Sequence, residues 1–319
     1  PIGGNFDQAQ SAVKDLFTDT GFAARLQAEQ VTLSAANSIN IGRLIPQVVY
    51  YFSAYLQLVE SGAIELGQKV NFTVPTGNFG DVLAGFYAKL MGLPIHQLIA
   101  AANANHELAD FLETGIYDRN RPFLKTVAPS MDIQISSNLE RLLYYKSGED
   151  SSYVAKLMEE LATTGRYQVR PDVLAAIQAD FAGGFAADAQ IAASIAAVWK
   201  QNDYLLDPHT AVGYHVMQQY RETTGDSTPN VLLATASPYK FPRAVAQALD
   251  LPVTGDDFAV MTQLHQMSGV PIPANLARLA TLTAQPKHVV APEEMGQAII
   301  AAAKEVFNND QRVRSGNKR

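Results

Sequence analysis

The sequence predicts an α/β layer fold on a largely parallel sheet. Two observations predict it: β-prone runs alternate with stretches of helical period, and a strand-loop-helix pattern occurs twice, after Gly67 and again from Asn230. In the first unit Val70-Asn71-Phe72-Thr73-Val74 is a short β-prone run and residues 75–81 form a Gly/Asn loop. Residues 82–91 then carry Val82, Leu83, Phe86, Tyr87 and Leu90 at helical spacing. Gly92 closes that helix, Pro94 restarts the chain, and residues 96–102 (HQLIAAA) read as the returning parallel strand. In the second unit residues 230–235 lead through Ala236-Ser237-Pro238 into a helix over 241–249.

Other elements follow in order. Ser38, Asn40 and Arg43 open an apolar helix over residues 44–58, where Arg43 could meet an anion, or Ser38 and Asn40 could simply cap. From Ser137 to about Tyr204 almost everything has helical period, beginning with the capping box Ser137-Asn138-Leu139-Glu140 and continuing through 153–162, 172–181 and 187–199. This stretch reads as a helical insertion, dividing the chain into residues 1–136, 137–205 and 206–319, the outer two forming one α/β region. Residues 292–307 read as one more amphipathic helix, with a polar, basic, frayed end from Asn308.

Composition narrows the function. The 319 residues, 47% hydrophobic and 17% charged, suffice for a sizeable core. A net charge of -7 argues against nucleic acid, whose partners carry basic stripes. With no cysteine there is no disulfide, no thiolate metal site and no thiol nucleophile. No apolar run approaches the roughly 20 residues of a membrane span, and the first residues show no signal-peptide pattern, so a cytoplasmic protein cut at its front is expected. His96, His106, His215, His265 and His288 lack metal-ligand spacing, so no metal is expected, and His209, beside a helix start, reads as structural.

The most informative segment is Pro75-Thr76-Gly77-Asn78-Phe79-Gly80-Asp81. Between a strand and a helix, Gly77 and Gly80 let successive amide N–H groups converge on an anion at the helix's positive end, and phosphate is the natural ligand. The motif is neither the three-glycine dinucleotide fingerprint nor a P-loop, and as a bare pattern it is also that of a plain turn.

Six blocks, in order, resemble threonine synthase: Gly4-Asn5-Phe6-Asp7 with Gln10; Asn37-Ser38-Ile39-Asn40 with Arg43; residues 75–81; Ser130-Met131-Asp132-Ile133 with Ser137, Asn138, Glu140 and Arg141; residues 206–213; and residues 234–241. The resemblance implies a pyridoxal 5'-phosphate (PLP) enzyme of the tryptophan-synthase-β-like fold, fold type II. It implies a lyase that converts O-phosphohomoserine and water into threonine and phosphate. Carried over, Gly77, Asn78, Phe79, Gly80 and Asp81 match the loop that holds the cofactor phosphate, and Thr235 the hydroxyl facing the pyridine nitrogen. Ser38, Asn40, Arg43, Asn138 and Arg141 are the candidate substrate contacts.

One departure matters. The family's Schiff-base lysine lies in a Ser-Phe-Lys-Asp-like segment, and no such segment occurs here, so no catalytic residue is assigned. Lys240 follows Thr235 closely but is not that lysine in the family. The chain is expected to correspond to the C-terminal two-thirds of the enzyme and to be inactive alone. The alternatives are a sister β-replacement or dehydratase enzyme and a non-catalytic module that binds phosphate or PLP. Oligomeric state stays open.

Overall fold

The computed structural model describes Gly3 and residues 12–13, 15–282 and 289–316, with side chains as far as Glu305. The block Gly4-Asn5-Phe6-Asp7 with Gln10 lies outside the described residues. Two compact units form, one spanning residues 37–282 and the other drawn from 1–36 and 283–319.

In the smaller unit α1 (Thr20–Ala28) starts where the Asp19 carboxylate accepts the Phe22 N–H at 2.9 Å, and it buries Phe22 and Leu26. In the larger unit the helices in chain order are α2 (Ile41–Leu44), α3 (Val48–Glu60), α4 (Gly80–Leu90), α5 (Glu107–Thr114), α6 (Leu139–Lys146), α7 (Ser151–Thr164) and α8 (Pro171–Gln178). After these come α9 (Asp188–Asn202), α10 (Pro208–Thr224), α11 (Pro242–Ala248), α12 (Asp257–Ser268) and α13 (Ala274–Leu279). The last helix, α14 (Met295–Gly316), belongs to the smaller unit, buries Met295 and continues past the expected frayed end. No helix among the described residues is long and apolar enough to cross a membrane.

The strands are β1 (Val70–Pro75), β2 (Ile95–Ala102), β3 (Ile116–Asp118), β4 (Arg166–Gln168), β5 (Phe181–Phe185) and β6 (Asn230–Leu232). Four form one sheet in the order β5-β2-β1-β6, every pair parallel. β1 is buried along its whole length, as a parallel strand covered on both faces must be. The period of two is visible in β2: Leu98 and Ala100 enter the core beneath α3 and α4, whereas Ile99 and Ala101 enter the core beneath α9 and α10. Each large side chain buried this way contributes about 1.5–3 kcal/mol. Both expected strand-loop-helix units are present, and α4 follows β1 directly.

The stretch expected to be wholly helical differs. α6, α7, α8 and α9 are there, but β5 pairs with β2 inside the main sheet and β4 pairs antiparallel with β3, so residues 137–205 are not a helical insertion outside it. β5 reads Phe-Ala-Gly-Gly-Phe, and its two glycines hide the β signal that branched side chains would give. The same glycines serve packing: a Cβ on Gly183 would stand 3.1 Å from the Ala109 backbone of α5. The expected capping box is also absent. Asn138 occupies the N-cap of α6 without a side-chain cap bond, Glu140 is exposed, and the buried Ser137 Oγ has no hydrogen-bond partner among the described residues.

Candidate active site

β1 delivers its last residue, Pro75, to the carboxyl edge of the sheet, where open α/β folds place their ligand crevice. The loop that follows is locked by its own side chains: Thr76 Oγ1 accepts the Phe79 N–H at 3.0 Å and Asn78 Oδ1 accepts the Gly80 N–H at 2.8 Å. Phe79 adopts a left-handed conformation (φ 64°) and sinks its ring into the core, 5.5 Å from that of Phe181. The turn is thus anchored by an aromatic side chain at a position where a side chain is strained. The N–H groups of Gly77, Asn78 and Asp81 meet no acceptor among the described residues, and they stand at the positive end of α4.

Residues from three directions brace this loop. Ser136 Oγ donates to Gly77 O at 2.8 Å, and the buried Asn138 amide donates to Asn78 O and to Ser38 Oγ, both at 2.9 Å. The Arg141 guanidinium donates to Ser38 O (2.9 Å), Ile39 O (2.6 Å) and Asn138 Oδ1 (2.7 Å). Ser38 lies so close that a Cβ on Gly80 would stand 2.3 Å from its Oγ. Only glycine fits there.

In front of the loop opens a cavity of about 700 Å³, the size of a cofactor or small-ligand site. Gly77, Asn78 and Asp81 line it on one side, Gln47 and Tyr50 of the helical region on another, and residues 231–236 with Ser130, His209 and Lys240 on the third. His209 is nearly fully buried; its Nε2 accepts the Ser130 N–H at 3.2 Å and its Nδ1 lies 3.0 Å from Asp207 Oδ1. A backbone N–H can only donate, so this pattern is the Nδ1–H tautomer, held in place by Asp207. Asp207 also accepts the Thr210 hydroxyl and caps α10.

Asp81 is the one carboxyl among these lining groups. Burial raises it from the usual carboxylate range to about 6, against the hydrogen bond from Tyr51, which lowers it. The Tyr51 hydroxyl is shared between Asp81 O (2.7 Å) and Oδ1 (3.2 Å), and burial pushes Tyr51 well above its ordinary value, so it stays a donor.

The expected site residues separate into groups. Gly77, Asn78, Asp81 and Thr235 line the same cavity, while Phe79 and Gly80 contribute backbone only. Ser38, Asn138 and Arg141 come together behind the loop, where three Arg141 N–H groups are spent on protein acceptors and the three residues brace it. Asn40 caps α2 through the Gly42 N–H, and Arg43 is exposed and does not line the cavity. Gln47 and Tyr50 carry no motif, so nothing in the sequence points to them. His209 reads as structural from the sequence alone, although its Asp207-Pro208-His209 context is the signal that could have found it.

Comparison with known proteins decides the relationship. The threonine synthase C-terminal family model matches residues 210–300. A Pseudomonas aeruginosa threonine synthase is 42% identical over 247 residues, covering 77% of this chain and 50% of that protein. The chain is a relative of the threonine synthases. A crystal structure of PLP-bound threonine synthase from Brucella melitensis superposes with a TM-score of 0.75 at 41% identity, covering 95% of this chain and 58% of that one. Human threonine synthase-like 1 is 42% identical over 252 residues, 78% of this chain and 34% of that protein. This threonine synthase relative therefore shares the α/β fold of the Brucella enzyme and spans a third to a half of the two curated sequences.

Proposed function

We propose that this chain carries the phosphate-binding half of a PLP site, and that it serves, within a longer protein, the conversion of O-phosphohomoserine and water into threonine and phosphate. The observation that supports this reading is the loop 75–81, whose acceptor-free N–H groups at a helix start open into a cavity large enough for the cofactor. The residues fit a phosphate monoester: the cradle offers donors, Gly80 leaves no room for a side chain, and Thr235 lines the same cavity. PLP, when bound, supplies an electron sink for carbanion chemistry at the amino acid.

What the chain's own residues do is position and enclose. Gly77, Asn78 and Asp81 bind the phosphate through backbone N–H groups. Asn138, Arg141 and Ser38 hold that loop against displacement, so the donors are in place before the ligand arrives. The Thr235 hydroxyl would meet the far end of the ring system as a neutral partner, leaving the ring nitrogen without a paired carboxylate.

A second reading, for this chain taken by itself, is binding without turnover. Lys240 lines the cavity, but it is exposed and its Nζ lies over the Phe241 ring, 5.4 Å from the centroid. One set of measurements tests both. Equilibrium dialysis should show PLP held by the chain and released by Gly77→Val and Gly80→Val, with no threonine formed from O-phosphohomoserine by the chain alone. Undiminished affinity in both variants would end the cradle assignment, and turnover abolished by Lys240→Ala would end the assignment of the lysine elsewhere.

A further inference from the structure

An anion cradle with a carboxyl group on its rim is an electrostatic contradiction unless that carboxyl can shed its charge. Asp81 is such a group. It stands in the first turn of α4, its own N–H is one of the cradle donors, and the residue lines the cavity that the cradle faces. Tyr51 of α3 engages Oδ1 from below, and Oδ2 takes no hydrogen bond from a described residue. No cation pairs with the carboxylate among the described residues.

We infer that Asp81 is the proton-linked specificity residue of the cradle: occupation by a tetrahedral dianion draws a proton onto its carboxyl, so the site takes up one dianion and close to one proton together. The inference rests on the phosphate-binding reading above. Its physics is short range. Like charges held side by side at a part-buried site repel far more strongly than in water, and the neutral carboxyl removes that repulsion while adding a donor. Burial already places the free carboxyl at about 6, so a bound dianion that raises it by about two further units keeps the proton on at neutral pH. The titratable groups lining the same cavity are Tyr50, His209 and Lys240; behind them Tyr51 of α3 bonds Asp81 and Asp207 bonds His209 at the start of α10. All of them persist when Asp81 alone is changed.

Sulfate is the discriminating probe, because it stays a dianion from about pH 5 to 8 whereas a phosphate ester titrates near 6. Calorimetric titration of the intact chain should show sulfate affinity falling as pH rises above about 6, by up to about tenfold per pH unit. Asp81→Asn should match the parent within about twofold at pH 5 and bind about 10- to 100-fold more tightly at pH 8. In two buffers of different ionisation heat, the parent should take up close to one proton per sulfate at pH 7 and the variant markedly fewer. Tyr51→Phe removes the hydrogen bond that holds the carboxyl down and should move the parent's falling limb to higher pH. If Asp81 were of structural importance only, Asp81→Asn would instead lower affinity by the same factor at every pH. Parallel profiles for parent and Asp81→Asn overturn the inference and leave the cradle intact. Failure of the parent to bind either sulfate or PLP overturns the cradle reading and the inference with it.

Discussion

At the scale of single residues, Asp81 and Thr235 are the two cavity-lining groups on which the proposed chemistry turns. A carboxyl raised to about 6 in the folded state binds a proton that the unfolded chain has already released by about pH 5. Folding stability therefore falls as pH rises from about 4 to about 6, and the loss stays in place above that window. A rise from 3.8 to about 6 corresponds to about 3 kcal/mol. Asp81→Asn is expected to raise the melting temperature at pH 7.5 and leave it nearly unchanged at pH 4, which thermal denaturation followed by circular dichroism would check. Thr235 is exposed on the cavity wall, so a larger side chain can be accepted without disturbing the core. In the longer protein Thr235→Asp would set a negative charge where the ring nitrogen is proposed to lie and hold a proton on that nitrogen. Slower threonine formation with proportionally more keto acid is the expected product pattern, and an unchanged partition would show that Thr235 does not face the cofactor. The loop itself is legible in the sequence because glycines between a strand and a helix are a local signal. His209 is legible only in part, since its Asp207 partner is a sequence neighbour whereas Ser130 is distant in sequence and adjacent only in the fold.

Among the elements, α6 has a role that its sequence disguises. Ser137 and Glu140 are three apart and look like a reciprocal cap, yet Asn138 takes the cap position and spends its amide on the cradle loop and Ser38. A short polar side chain at a helix start has several backbone groups within reach, and tertiary partners outcompete local ones when they are buried. Arg141, one turn on, ties the residues before α2 to the same point. Arg141→Ala would leave Ser38 O and Ile39 O without their charged donor and should cost about 2–3 kcal/mol in urea denaturation. Arg141→Lys should recover little of it, because three acceptors in a fork suit a planar guanidinium and not an ammonium. β5 is hidden for a different reason. A strand whose identity comes from pairing with β2 and from closeness to α5 shows no alternation of its own.

For the whole molecule, the parallel sheet is readable from two strand-loop-helix units, whereas the division of the chain is not. The larger unit gathers residues 37–282 and contains every residue lining the cavity and every brace of the cradle. A fragment of those residues should fold and hold PLP with an affinity within a few-fold of the intact chain, as measured by dialysis; loss of binding with retained circular dichroism would show that the site depends on the flanking residues. The sheet's two outer strands, five and three residues long, have a further consequence. An outer strand is a template on which another chain can add itself by backbone hydrogen bonding, and the hazard grows with its length and flatness. Here one rim is interrupted by paired glycines and the other leaves the sheet after Leu233, whose N–H still donates to Thr73 O of β1, to wall the cavity. Fibrillar growth by strand addition accordingly has little purchase at either rim, and the same departure of chain that shapes the binding cavity also guards against aggregation.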